Sequence, residues 1–335
     1  MARPKKVKTE DQPDSSLLSA LKFISLITKD IGTPSETHVR LQNNLATASN
    51  GILALGCPIK ENLNCCPQNS LLVHTLSKCT NDIEYQQGLM LSIKSGKLKA
   101  TIPCLALDLI SNITPDEPIA IIDNRLKQGF EVVGMSSMDT NNQTIYNASI
   151  LLNGPSIVGT DGKVLIEYWH GIDLPKGLPI PKNVIAPLLK SNKTLARFGM
   201  SQTSVTFWYD DGSWIKSQLY AEQWPDISAI LDRPSQQAAV PKDFFMGLEA
   251  IKGFTDALVW FGPSHVRSHA DPSVGALYEV LGIKEGPIFN IKQLLNIKAH
   301  IKTVDFNVSV QGGNMLLWFG DNCRGAITGI RNGEN

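Results

Sequence analysis

The sequence predicts an α+β fold repeated three times, and three observations point to it. The first is a pair of Asp-Gly turns, Asp161-Gly162 and Asp211-Gly212, each set between apolar runs, with a helix pattern at 181–195 between the two hairpins. Asp-Gly is a two-residue turn whose backbone matches the right-handed twist of paired strands. A chain running strand, turn, strand, helix, strand, turn, strand needs its helix to cover one face of a sheet. The second observation is spacing. Helix patterns begin near residues 16, 123 and 241, and second helices near 70, 181 and 289, an internal repeat of roughly 110 residues in element order. The third is charge: the chain carries 31 basic and 31 acidic residues, yet its helix segments are basic.

In chain order, residues 1–14, MARPKKVKTEDQPD, predict a disordered tail whose Arg3, Lys5, Lys6 and Lys8 form a short basic run. Ser15-Ser16 can cap a helix to about Asp30, with Leu17, Leu21 and Ile24 on one face and Lys22, Ser25 and Lys29 opposite. Strands are expected at 38–41 and, after Asn50-Gly51, at 52–55, followed by a proline-marked loop over 57–68. A short helix runs from Asn69 to Lys78. Met90–Ile93 and Leu98–Ile102 flank a Ser95-Gly96 turn. The proline-bearing stretch 111–118 predicts a linker. Asp123 opens a helix to Ser136, and a polar patch over 139–144 precedes a strand at 145–152. The central hairpin occupies 156–169. Pro187 conflicts with the interior of the 181–195 helix, predicting a kink or a later start. After strands at 205–209 and 214–220 and the segment AEQWPDISAIL at 221–231, residues 232–239 predict a second linker. Pro241 then leads a helix to Phe254. Strands are expected at 257–261, 266–269 and 277–281, a helix at 290–303, and strands at 306–310, 315–319 and 325–330.

At 335 residues the chain has room for two or three domains. No basic start is followed by an apolar signal core, and no apolar run approaches the roughly 20 residues that span a bilayer. Six cysteines without metal spacing read as free thiols of a reducing cytoplasm. Catalysis is not expected. His265 and His269 lack a third ligand, GTDGK has Val164 where a phosphate-binding loop needs Ser or Thr, and no serine sits in a nucleophile elbow. Neither a metal nor a cofactor is implied.

The charge is segregated. Over 16–30, 70–79, 123–136, 182–195, 241–254 and 289–303 the bases are Lys22, Lys29, Lys78, Arg125, Lys127, Lys182, Lys190, Lys193, Lys242, Lys252, Lys292, Lys298 and Lys302. The acids are only Asp30, Asp123, Glu131, Asp243 and Glu249. The segments therefore carry net +8 and the remainder −8. Helix propensity favours lysine but favours glutamate equally, so propensity alone leaves the missing glutamates unexplained. Dispersed lysines suit contact with a phosphate backbone, which positions a duplex without reading its sequence.

GTDGKVL at 159–165, the Pro181-Lys182 helix start and the Trp224-Pro225-Asp226 ending resemble, in that order, the middle domain of a bacterial-type DNA polymerase sliding clamp, the DNA polymerase III beta subunit family. SIKSGKLKATIP at 92–103 resembles the hairpin closing that family's first domain. The resemblance implies a DNA clamp fold of three repeated domains (15–118, 119–233 and 234–331), each with two helices packed on antiparallel sheets. It implies a head-to-tail homodimer forming a ring around duplex DNA, with the thirteen bases above facing the duplex. The implied function is that of a non-catalytic, cytoplasmic processivity factor (in the host cytoplasm for a viral member). Its partners would be double-stranded DNA without sequence preference, a replicative DNA polymerase and a clamp loader, with no membrane. Partner peptides would enter a pocket with Thr160, Gly162, Lys163 and Leu165 on one wall and Ala326, Ile327, Thr328, Gly329 and Ile330 on the other. The chain departs from the family in having Lys163-Val164 where His-Arg usually follows the turn, and in lacking a Met- and Pro-rich last strand. Such departures suit a clamp with its own polymerase in a virus or mobile element. A monomeric clamp-like protein binding DNA laterally is the competing expectation.

Overall fold

The computed structural model describes residues 16–80, 82–136, 144–255, 257–310 and 313–330. The expected basic tail over 1–14 and residues 139–143 of the polar patch lie outside the described residues. The chain divides into two compact units, Met1–Asn124 with Ala186–Leu219, and Arg125–Ile185 with Tyr220–Asn335.

In the first unit, the helix Ser16–Ile24 buries Leu17, Ala20, Leu21 and Ile24 completely. It stops six residues before Asp30, because the chain turns into a second helical turn, Pro34–Thr37. There Glu36 closes a capping box with Thr33 and accepts from Lys29 Nζ at 2.5 Å. Asn69 Nδ2 donates to the hydroxyls of Ser25 and Thr28 at 2.9 and 2.8 Å, tying the helix Asn69–Leu76 to the first. These helices accompany a seven-stranded antiparallel sheet in the order Arg40–Gln42, Leu45–Ser49, Leu53–Pro58, Trp214–Gln218, Ser204–Tyr209, Leu195–Met200, Pro118–Ile121. Leu45–Ser49 and Leu195–Met200 are strands that the sequence does not announce: neither alternates cleanly between apolar and polar residues, the first being buried along its middle and the second half-buried.

The pairing that closes this sheet is Trp214 opposite Gly56. A Cβ at Gly56 would lie 2.2 Å from the Trp214 ring, so only glycine accommodates the fully buried indole. The stretch expected as a linker is anchored to the same sheet. Asp116, 8% exposed, accepts hydrogen bonds from Ser204 Oγ, Thr206 Oγ1 and Lys216 Nζ, while Lys216 also donates to the Thr114 carbonyl. A separate four-stranded sheet runs Cys66–Pro67, Leu98–Leu105, Met90–Ser95, Glu84–Gln87. Its central hairpin turns at Gly96-Lys97, one residue later than expected because Ser95 still pairs with Leu98, and the strand Cys66–Pro67 enters the segment expected as loop.

The second unit holds an eight-stranded sheet in the order Leu178–Pro181, Ser149–Asn153, Ser156–Thr160, Val164–Trp169, Cys323–Thr328, Gly313–Phe319, Thr303–Val310, Ala238–Ala239. Its four-stranded sheet runs Leu277–Glu279, His265–Arg267, Leu258–Gly262, Ile288–Asn290. Phe244, on the helix Phe244–Ile251, packs within 5.0–5.8 Å of the rings of Phe245, Phe261 and Phe306. Asn290 caps the helix Ile291–Asn296 through its side chain, as a helix-start residue should. That helix ends well before residue 303, because the chain enters the strand Thr303–Val310.

Lys182–Val184 forms a 3-10 turn and Ile185–Lys190 the α-helix after it. Pro187 thus falls in the first α-helical turn, where no N–H is needed, and the conflict is resolved by the later start. No helix among the described residues is long and apolar enough to cross a membrane.

Candidate partner-binding pocket and the charged helices

Within the second unit, the hairpin Ser156–Thr160 to Val164–Trp169 is built from its turn outward. Gly162 has φ +85°, a left-handed conformation that glycine adopts without steric cost. Asp161 Oδ1 accepts from the backbone N–H groups of Lys163 and Val164 at 2.8 and 2.7 Å. Thr160 Oγ1 accepts from Gly162 N and donates to the Val164 carbonyl. These side chains are spent on holding the shape of the turn. The second strand pairs with Cys323–Thr328 in a register that sets Leu165 opposite Ala326.

Alternation along these strands puts Lys163, Leu165, Ala326 and Thr328 on one face. There they meet Tyr146, Trp224, Pro225, Asp226, Ile227, Ile230 and Met315 around a cavity of about 350 Å³. Its floor belongs to an apolar cluster that includes Leu151, Val158, Leu165, Leu231, Met315 and Ala326. The wall formed by residues 224–232 is pinned at both ends. Trp224 Nε1 donates to Ser149 Oγ at 2.7 Å. Arg324 donates to the Leu231 carbonyl and to Asp232, and its Nε donates to the buried Glu167 carboxylate at 2.9 Å.

Of the residues expected in the pocket, Thr160, Gly162, Lys163, Leu165, Ala326 and Thr328 line it. Ile327, Gly329 and Ile330 do not, which corrects the expectation. Ile327 is fully buried and, by alternation, faces away from the cavity. The N–H groups of Gly329 and Ile330 donate to the carbonyls of Asn314 and Ile288, leaving the strand pair behind. Sequence reasoning missed the Trp224-Pro225-Asp226 wall as pocket, although these residues carry part of the family resemblance.

Lys182 is also corrected. Expected to face a duplex, it is 8% exposed, and its Nζ donates to the Thr160 carbonyl at 2.5 Å, behind the pocket hairpin. Burial pushes its pKa down to about 8, against the pull of the Asp161 carboxylate in the other direction. Lys193 is half-buried. It forms an ion pair with Asp211 and lies over the Phe23 ring at 4.9 Å, so its charge is engaged within the first unit. Lys29, Lys298 and Lys302 are exposed but paired, with Glu36, Glu249 and Asp321 respectively. Lys127 is partly exposed and Arg125 exposed, each with an interaction of its own. Lys22, Lys78, Lys190, Lys242, Lys252 and Lys292 are exposed and make no ion pair among the described residues.

All six cysteines are free thiols, and burial pushes Cys65 up to about 12 and Cys66 up to about 11. Among the described residues no group of three His, Cys, Asp or Glu side chains converges on a metal position. His265 instead lies beside the Pro263 carbonyl, and His269 beside the Trp260 ring.

No family model matches the sequence, and no curated protein matches it. Solved structures do match. The Caulobacter crescentus DNA polymerase III beta subunit aligns with a TM-score of 0.78 at 14% identity, over 95% of this chain and 98% of that one. The fold is that of a sliding clamp. The Helicobacter pylori beta clamp bound to a DNA ligase peptide shares it, at a TM-score of 0.76 and 16% identity, over 94% of this chain and 98% of that one. The Pseudomonas aeruginosa sliding clamp bound to griselimycin aligns at 0.72 and 13%, over 95% and 97%. A clamp fold reached at such identity explains why hairpins and element order carry the resemblance while few other residues do.

Proposed function

We propose that this chain is a processivity factor of DNA replication, a sliding clamp that encircles duplex DNA and tethers a polymerase to it. The observation that carries the reading is the cavity in the second unit, formed by the Thr160–Leu165 hairpin, the Trp224–Ile230 wall and the last strand, within a chain that matches the clamp fold over 95% of its length. The Helicobacter pylori clamp is bound to a DNA ligase peptide, and an apolar cavity with a polar rim is what such a segment needs. In this reading three domains per chain, over 15–118, 119–233 and 234–331, close head-to-tail as a homodimer. A clamp loader opens the ring, and the protein itself catalyses nothing. It acts in the cytoplasm, by holding its partner at high effective concentration along the duplex.

Lys22, Lys78, Lys190, Lys242, Lys252 and Lys292 supply weak, sequence-independent attraction to phosphates. Replacing Lys190 and Lys292 with alanine should lower the slope of log affinity against log salt by roughly one unit for each of the two that touches a phosphate. The decisive experiment is retention. After loading, the protein should stay on closed circular DNA through a salt wash and slide off once the circle is cut. Equal retention on closed and linear DNA would instead mean lateral binding by a clamp-like protein. Sedimentation at micromolar concentration should show a dimer, and a monomer at every concentration would support the lateral reading.

A further inference from the structure

Three of the six cysteines meet where the two sheets of the first unit join. The short strand Cys66–Pro67 pairs with Leu98–Leu105, setting Cys66 opposite Leu105 and Pro67 opposite Cys104. Just before it, Cys65 exchanges both backbone hydrogen bonds with Leu41 of the strand Arg40–Gln42, at 2.9 and 3.0 Å. The chain over 65–67 therefore lies between the four-stranded sheet on one side and the seven-stranded sheet on the other. Arg40 spans the same seam, its Nη1 donating to the carbonyls of Leu107 and Ile110 at 2.5 and 2.7 Å.

Strand alternation sorts the three thiols. Cys65 lies on the face of Pro67, and Pro67 is directly opposite Cys104, so Cys65 and Cys104 share a face and sit diagonally across the strand pair. Cys66 points to the other face. The Cys65 thiol donates to the Cys104 sulfur, and the Cys104 thiol donates to the Ile102 carbonyl at 3.7 Å. Cys65 and Cys66 are buried, whereas Cys104 is only half-buried. The other three sulfurs are engaged elsewhere: Cys57 with Lys193 Nζ, Cys79 with the Thr75 carbonyl and Cys323 with the His300 carbonyl.

We propose that Cys65 and Cys104 are a redox couple that closes to a disulfide across this seam, with Cys104 as the sulfur that an oxidant reaches first. The oxidant is a peroxide. The Cys104 thiolate attacks hydrogen peroxide and takes one oxygen as a sulfenic acid, and the hydroxide released takes up the thiol proton to become water. The Cys65 sulfur then attacks the Cys104 sulfur. The S–S bond forms, the S–O bond breaks, and the hydroxyl leaves with the Cys65 proton as a second water. Two electrons pass from the sulfurs to one peroxide, and a dithiol reductant reverses the bond. Burial holds the Cys104 thiol above its ordinary pKa, against the pull of Cys65 and of the Leu91 and Cys66 backbone, so the first step is slow at neutral pH and faster in mild alkali. Cys66, facing the opposite way, takes no part.

Peptide mapping of the full-length protein by mass spectrometry tests this. The reduced protein, freed of reductant, is treated with excess hydrogen peroxide under native conditions, and remaining thiols are alkylated before unfolding and tryptic digestion. The wild type should yield peptide 61–78 joined to peptide 100–125, and dithiothreitol should release the two. Cys66→Ser should keep the link, whereas Cys65→Ser and Cys104→Ser should lose it. The linking rate should rise about tenfold from pH 7 to pH 8, because the reacting form is the thiolate. A Cys104 that stays reduced, or that is oxidised to the sulfinic acid with no link to Cys65, would overturn the proposal. So would a link that persists in Cys65→Ser, and a rate independent of pH would overturn the Cys104 thiolate as the attacking group. If a serine variant fails to fold, fragment ions of the wild-type peptide decide instead, since they place the bond at Cys65, as proposed, or at Cys66, against it.

Discussion

Replacing Lys182 with methionine tests the buried ammonium behind the pocket hairpin, and its magnitude follows from the structure. In the fold this lysine has a pKa of about 8, lowered by burial from the ordinary value of 10.5. The folded state thus binds the proton less tightly than the unfolded chain. The burial penalty is therefore absent above the unfolded pKa, grows as pH falls between the two values and is complete below the folded one. At about 1.4 kcal/mol per pKa unit, the charged form costs ~3 kcal/mol at pH 7. The same linkage leaves ~1.4 kcal/mol at pH 9.5, a change of about 2 kcal/mol between the two conditions. Lys182→Met removes that cost but leaves the Thr160 carbonyl without its donor, worth about 1–2 kcal/mol. At pH 7 the variant should therefore match or exceed the wild type by about 1–2 kcal/mol. At pH 9.5 that advantage should have fallen by about 2 kcal/mol. Urea unfolding at both pH values reads the difference, and comparing the variant with the wild type cancels the other groups that titrate in this range. A stability difference that does not change with pH would refute the claim that Lys182 is buried as a strained ammonium. So would a large loss at pH 7.

Asp116→Asn should destabilise the first unit by about 1–3 kcal/mol, since it weakens the bonds from Ser204, Thr206 and Lys216 to a buried carboxylate, and urea unfolding at neutral pH measures it. Because that carboxyl has a lowered pKa in the fold, its contribution is present above the ordinary carboxylate range and disappears as pH falls below it. The wild type and Asp116→Asn should therefore converge in acid. Leu165→Asp should abolish capture of pocket-binding peptides by placing a charge in the apolar floor, at a cost of several kcal/mol. Ile330→Asp should leave capture unchanged, because Ile330 lies outside the cavity lining. Peptide titration of the two variants, with circular dichroism to confirm folding, checks both.

Local chemistry was legible in the sequence. Asp161-Gly162, Asp211-Gly212 and Ser95-Gly96 announce their hairpins because a turn's backbone angles are set by the residues in it. Asn290 marks its helix start for the same reason, since a cap is a bond between near neighbours. The family resemblance, not any local rule, named Thr160, Lys163 and Leu165 together, and in the fold the hairpin register sets Thr160 opposite Leu165 at the cavity. The strand Leu45–Ser49 was not legible, because a strand buried inside a wide sheet loses the alternation that identifies a half-exposed one, and Leu195–Met200 was not, because its sequence lacks that alternation although it is only half-buried.

Tertiary structure alone decided which distant segments meet. Trp214 closes on Gly56, Leu165 on Ala326, and Arg324 on Glu167 and Asp232. No local rule links residues so far apart, because such contacts arise only when whole sheets assemble. The fate of each lysine was decided the same way. Lys182 and Lys190 lie one short helical segment apart in a run without acids, yet one is buried against a carbonyl and the other is exposed to solvent. Sequence counts charge, but desolvation and the nearest carboxylate, both properties of the folded surroundings, determine whether that charge is available to a partner.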